Sequence, residues 1–286
     1  MHDFFSLPAR SAKPRDLGVT HVMDKGLGLR QVEDLLETCS DYIDIVKLGW
    51  GTGYVTQNVV EKVALYREAG IPVCFGGTLL EVAILQKRFD AFLGMARDMG
   101  LTHVEISNGV IDLPMKEKAR YIRKLAKEFT VLSEVGSKDA ETIIPPYRWV
   151  ELIKSELDAG AWKVICEARE SGTVGLYFGS GEARAGLIDE IVASVDPADL
   201  IFESPQKAQQ VFMVQKLGSE VNLGNIASNE VIALETLRLG LRGDTMSDFH
   251  DVEVWNKRRN AEMRAELPRP ERRGGGARGA RLKRIR

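Results

Sequence analysis

Residues 131–167 read VLSEVGSKDAETIIPPYRWVELIKSELDAGAWKVICE. A β-branched run over 131–136 gives way to a segment of helical period over 147–159. Gly160 then closes the helix, and a second β-branched run follows over 162–167. This is one strand–helix–strand unit, and the same rhythm recurs along the chain every roughly 25 to 30 residues. Working outward, strands are predicted at 19–24, 42–49, 72–77, 103–109, 131–136, 162–167, 200–205 and 220–226. Helices are predicted at 57–69, 79–99, 115–128, 147–159, 182–194, 206–217 and 227–239. Gly70, Gly100, Gly160 and Gly218 stand where helix C-caps should lie.

Eight strands, each followed by a helix, predict an α/β fold closed as a (β/α)8 TIM barrel over residues 17–247. A doubly wound open sheet is disfavoured, because Asp24-Lys25-Gly26-Leu27-Gly28 after the first strand lacks the G-x-G-x-x-G spacing. Residues 1–16 read as an N-terminal extension. Residues 248–286 read as one further helix and a basic tail without a packed role.

The chain of 286 residues is 44% hydrophobic and 28% charged, which fits a folded globular protein and excludes global disorder. No apolar run approaches a membrane span and the start does not read as a secretory signal, so a cytoplasmic protein is expected. Cys39, Cys74 and Cys166 are an odd, widely spaced set in apolar surroundings, as for reduced core thiols. Residues 257–286 hold 12 Lys and Arg against 3 Asp and Glu, so an overall charge of -2 leaves -11 on the preceding chain. Such a tail attracts polyanions weakly and in a salt-dependent way; with no aromatic residue among its charges, no specific nucleic-acid partner is expected.

In a barrel of this kind the reactive groups stand at the C-terminal ends of the strands. Asp24, Lys47, Glu105 with Ser107, Glu134 with Lys138, Glu167 with Arg169, Glu203, and Asn222 with Asn225 all fall in those places. Residues two apart share a strand face, so Glu134, Gly136 and Lys138 form one such row and Ile165, Glu167 and Arg169 another. Five carboxylates and at least three cations would then meet at one mouth. A carboxylate ring without histidine favours a hard, oxygen-liganded ion such as Mg2+, with Asp24, Glu105, Glu134, Glu167 and Glu203 as candidate ligands. No H-x-x-x-H or C-x-x-C pattern exists, so zinc chemistry is not expected. Gly76-Gly77-Thr78, and Gly224 with Asn225 before Ser228, place small residues where backbone N–H groups could face a phosphate. A Schiff-base aldolase is disfavoured, because Lys163 starts its strand and Glu167 ends it.

The runs VMDKG (22–26), DYIDIVKLGWGT (41–52), GGTLLE (76–81), VEISNG (104–109), EVGSK (134–138), ARESG (168–172), IFESPQKAQQ (201–210) and VNLGNIASNEVIALETLRLGLRGDT (221–245) resemble the phosphosulfolactate synthase family. The match is collinear over about residues 15 to 246. The resemblance implies a TIM barrel that adds sulfite to phosphoenolpyruvate with Mg2+, giving (2R)-phospho-3-sulfolactate for coenzyme M or sulfolactate. It also implies Lys138 as the proton donor, beside Glu105 and Arg169 as catalytic groups. Lys25, Lys47, Arg169 and Lys207, assisted by Gly224 and Asn225, would hold the anionic substrates. Asn108 stands where the family commonly has Asp, and the loop TVGLYFGSGEARAG (173–186) departs from the archaeal pattern. Plant heat-stress-associated relatives belong to the same family, so two alternatives stand beside this one. They are a non-catalytic partner-binding barrel and a lyase acting on another phosphorylated enol. The fold is compatible with a homo-oligomer.

Overall fold

In the computed structural model, which describes residues 4–137 and 142–266, all eight expected strands form. They are β1 (Thr20–Asp24), β2 (Ile45–Leu48), β3 (Val73–Phe75), β4 (His103–Ile106), β5 (Thr130–Val135), β6 (Lys163–Cys166), β7 (Leu200–Glu203) and β8 (Leu223–Ala227). Every pairing among these eight strands is parallel, in the order β3-β2-β1-β8-β7-β6-β5-β4. This is a nearly closed (β/α)8 barrel. At the seam, β3 meets β4 without a hydrogen-bonded register among the described residues.

The helices are α1 (Leu29–Cys39), α2 (Thr52–Val55), α3 (Val59–Glu68), α4 (Gly77–Leu85), α5 (Phe89–Asp98), α6 (Met115–Leu125), α7 (Pro146–Asp158), α8 (Ala185–Ser194), α9 (Lys207–Leu217), α10 (Val231–Arg238), α11 (Met246–Phe249) and α12 (Val252–Glu266). The single helix expected over 79–99 is two. Lys87 takes a left-handed φ of 57°, the Lys87 N–H bonds Ile84 O at 3.0 Å, and the Arg88 N–H bonds Ala83 O at 2.7 Å. That is a left-handed C-cap built without glycine, so the sequence carries no glycine to signal it. The four glycines expected to end helices all have positive φ, from 66° to 106°.

The barrel interior is apolar low down, where Val19, Ile45, Cys74, Leu132, Ile165 and Ile201 pack together. A larger apolar layer fills the space between strands and helices, and all three cysteines are buried. The N-terminal segment is stitched across the lower face of the barrel. Arg10 pairs with Glu235 at 2.9 Å, Arg15 with Asp44 at 3.0 Å, and the Lys163 ammonium donates to Asp16 O at 2.9 Å. The first compact unit ends at Phe249. The second begins at His250, and its described part is α12, on which Trp255 is exposed. No helix among the described residues is long and apolar enough to cross a membrane.

Candidate active site

Four successive strands end on a glutamate whose side chain turns inward: Glu105 from β4, Glu134 from β5, Glu167 one residue past β6, and Glu203 from β7. All four are buried. Lys47 reaches them from β2, its ammonium 3.1 Å from Glu203 Oε1 and 3.3 Å from Glu105 Oε2. Three further oxygens are aimed by backbone N–H groups. Glu203 Oε2 accepts from Ala168 at 2.9 Å, Glu105 Oε1 accepts from Gly77 at 2.6 Å, and Glu167 Oε1 accepts from Arg169. Gly77 is required by closeness: a Cβ there would lie 2.9 Å from the Ser107 backbone nitrogen. Its absence lets α4 wedge against the end of β4 and donate across the seam.

The four carboxylates line a cavity of about 400 Å3 together with Met23, Lys47, Trp50, Val110 and Arg169. Crowding sets the charge states. Burial pushes the Glu105 carboxyl up, Lys47 and the Gly77 N–H pull it back, and Glu134 and Glu203 push it further, to about 7 in balance. For Lys47, burial alone would lower the pKa, but Glu105, Glu203, Glu134 and Glu167 together hold it well above its ordinary value. Lys47 is thus a fixed positive charge rather than a proton donor.

Three non-glycine residues at this mouth, Trp50 (φ 53°), Arg169 (φ 58°) and Asn225 (φ 55°), have left-handed backbones. Such conformations cost free energy and cluster at functional sites. The Asn225 side-chain oxygen is buried without a hydrogen-bond partner.

Of the residues expected here, Lys47, Glu105, Glu134, Glu167, Arg169, Glu203 and Asn225 line the cavity, as do Gly76, Gly77 and Thr78. Asp24 does not. Strand parity turns Met23 inward and Asp24 outward, where its carboxylate meets the Lys62 ammonium at 3.1 Å and the Tyr66 hydroxyl at 3.1 Å and accepts from the Gly26 and Leu27 N–H groups. Asp24 is therefore a structural group behind the wall.

Lys25 lies at the rim, exposed and paired with Glu170, and Lys207 is paired with Asp244 at 2.8 Å and does not line the cavity. Gly224 sits one layer lower, against His21 and Ile201. Asn222 stands at the opposite end of its strand, donating to Leu200 O at 3.0 Å and accepting from the Val19 N–H at 2.9 Å. The anion cradle expected at 76–78 has lost one donor, because the Gly77 N–H is taken by Glu105. Lys138 lies outside the described residues.

Trp50, Glu170 and Ser171 line the cavity without having been singled out in the sequence. Glu81 was missed as well. It accepts from the Val110 and Ile111 N–H groups at 2.9 and 2.8 Å and from the Ser107 hydroxyl, fixing the loop that carries Val110. Each lies inside a run that resembles the family, at 41–52, 76–81 or 168–172, but no strand-face position marks it as part of the mouth.

Solved structures resemble the fold at low identity. The YdjI aldolase of Escherichia coli K12 gives a TM-score of 0.52 at 11% identity, covering 76% of this chain and 78% of that one. The 3-hexulose-6-phosphate synthase of Salmonella typhimurium gives 0.50 at 15% identity, covering 79% and 92%. Sequence relatives are far nearer. The phosphosulfolactate synthase of Bacillus subtilis (strain 168) is 47% identical over 249 residues, covering 86% of this chain and 99% of the relative. That of Methanothermobacter thermautotrophicus is 44% identical over 248 residues, covering 85% and 96%. That of Methanocaldococcus jannaschii is 47% identical over 235 residues, covering 80% and 93%. The profile of the (2R)-phospho-3-sulfolactate synthase (ComA) family matches residues 8–244, which takes in every strand of the barrel. By that span and by the identity of its relatives, the chain belongs to the phosphosulfolactate synthase family.

Proposed function

We propose that the chain is a phosphosulfolactate synthase that adds sulfite to C3 of phosphoenolpyruvate, with Mg2+, to give (2R)-phospho-3-sulfolactate for coenzyme M or sulfolactate synthesis in the cytoplasm. The observation that carries the reading is the set of four buried glutamates on successive strand ends around one lysine. A barrel that served only as a scaffold would gain nothing from that crowding, which adds to the burial that raises the Glu105 carboxyl to about 7.

The donor set suits Mg2+, because the groups facing the cavity are carboxylates, hard oxygen ligands that a divalent cation would relieve of mutual repulsion. Glu105, Glu134 and Glu167 would hold it. Glu203, like Glu105, also meets Lys47 and a backbone N–H, and is the fourth candidate ligand. Bound there, Mg2+ supplies Lewis-acid stabilisation of the negative charge that develops on the substrate carboxylate.

The chain's own groups do the rest. Lys47 and Arg169 hold the anionic substrates inside the cavity. Arg169 presents a planar fork that can grip two oxygens at once, whereas Lys47 acts as a point charge. The sulfite lone pair forms the C–S bond at C3 while the C2–C3 π electrons move toward the carboxylate. Lys138 then gives a proton to C2. Lys25, paired with Glu170 at the rim, is an entry contact for anions; Lys207 has no part in this reading.

The test is 31P NMR of the purified full chain with phosphoenolpyruvate, sulfite and Mg2+. A new phosphosulfolactate resonance is expected, absent with EDTA and reduced by ~10² to 10⁴ in rate for Lys138→Ala. Full turnover by folded Lys138→Ala would remove that residue as the acid. No turnover by the folded wild type would overturn the activity itself and favour a partner-binding barrel or another phosphorylated enol.

A further inference from the structure

Beside Glu105 lie two buried groups that this chemistry does not use. His21 on β1, Cys74 on β3 and Glu105 on β4 bring a ring nitrogen, the thiol sulfur and a carboxylate oxygen within 4.8 Å of one another. His21 and Cys74 are fully buried, yet neither ring nitrogen of His21 has a hydrogen-bond partner. Glu105 Oε2 has none either, although the Lys47 ammonium lies 3.3 Å away.

Burying a polar group without a partner is costly, so a histidine with both nitrogens so placed calls for a function. Burial, and then the nearby Lys47, push the His21 pKa well below its ordinary value, which keeps the ring neutral and its lone pair available. A Cβ at position 224 would lie 3.4 Å from Nδ1, so Gly224 keeps a side chain away from that nitrogen.

We propose that His21, Cys74 and Glu105 form a site for a zinc-class divalent cation such as Zn2+ or Co2+. Three protein donors of nitrogen, sulfur and oxygen with a fourth position open are the ligand set such ions take, and Mg2+ does not compete for a thiolate. On binding, the thiol proton leaves on a water that the incoming hydrated ion sheds, against the burial and the nearby Glu105 that push the Cys74 pKa up, and the sulfur lone pair bonds the metal. The thiolate and the Glu105 carboxylate together balance the two positive charges. The donors come from three strands 31 to 84 residues apart in the chain, so no spacing motif announces them. Resting on the reading that Glu105 is a magnesium ligand, occupancy of this site also makes zinc-class ions inhibitors of turnover.

The test is titration of the full chain with CoCl2 in excess MgCl2, followed by absorption. One equivalent should bring a near-ultraviolet cobalt–thiolate band with intense visible bands of a four-coordinate ion. Cys74→Ser should abolish the thiolate band, His21→Gln should weaken binding by more than about tenfold, and Cys39→Ser with Cys166→Ser should leave it intact. A wild type without the band, or a band that survives in Cys74→Ser, overturns the site. Zinc-edge absorption of the wild type needs no variant: a sulfur neighbour at roughly 2.3 Å is expected, and its absence is equally decisive. Cys74→Ser should keep Mg2+-dependent turnover but resist Zn2+. If the site binds cobalt while no turnover exists, the metal site stands and the proposed activity falls.

Discussion

The barrel carries two rings of buried charge, one inside the strand ends and one behind them where strands meet helices. The inner ring, Glu105, Glu134, Glu167 and Glu203, crowds like charges around Lys47. The outer ring, between strands and helices, is matched. Asp24 faces Lys62 and Tyr66, while Glu156 faces Lys118 at 2.8 Å and also takes the Ser133 hydroxyl at 2.5 Å. Glu81 is satisfied by two backbone N–H groups and a hydroxyl. Matched charges position and crowded ones react, and the two rings touch. The Lys118 ammonium also donates to the Glu134 backbone carbonyl at 2.6 Å, so the outer ring fixes a strand of the inner one.

Breaking the inner ring should have the largest effect on chemistry. Lys47→Met should lower kcat/KM by at least ~10²-fold, since a preorganised buried charge is lost from the site. Steady-state kinetics near the wild-type value would show the two rings to be equivalent. Breaking the outer ring should instead cost stability. Asp24→Asn leaves the fully buried Lys62 ammonium without its countercharge, a loss of about 3–5 kcal/mol by urea unfolding, with turnover per folded molecule kept. A variant of unchanged stability that has lost its response to Mg2+ would move Asp24 into the inner ring.

The finest probe is pH. Glu105 is raised from 4.5 unfolded to about 7 folded, so between those values the folded state binds more protons than the unfolded one. Stability of the metal-free protein should therefore fall as pH rises from about 4.5 to about 7. Glu105→Gln should flatten that part of the slope in thermal unfolding, and a slope identical to wild type would place the titration elsewhere.

Strand–helix alternation made the eight-strand barrel legible in the sequence, and strand-end position made the glutamates legible. Parity at the first strand was not, because Met23-Asp24 gives no sign of which residue turns inward until Lys62 and Tyr66 on α3 are known to cover the outer face. Lys207 was misplaced for a related reason. It opens α9 in the expected loop, but its side chain pairs with Asp244 instead of reaching the cavity. Trp50 and Glu81 act through loop geometry and backbone contacts, which leave no residue-type pattern.

The left-handed backbones of Trp50, Arg169 and Asn225 have a consequence for anyone breeding a hardier version of this protein. Glycine adopts that conformation freely, so selection for heat resistance alone should reward glycine at all three positions. It would thereby strip the mouth of a ring, a guanidinium and an amide, and a screen that scored only survival after heating would enrich sturdier barrels that no longer turn over substrate.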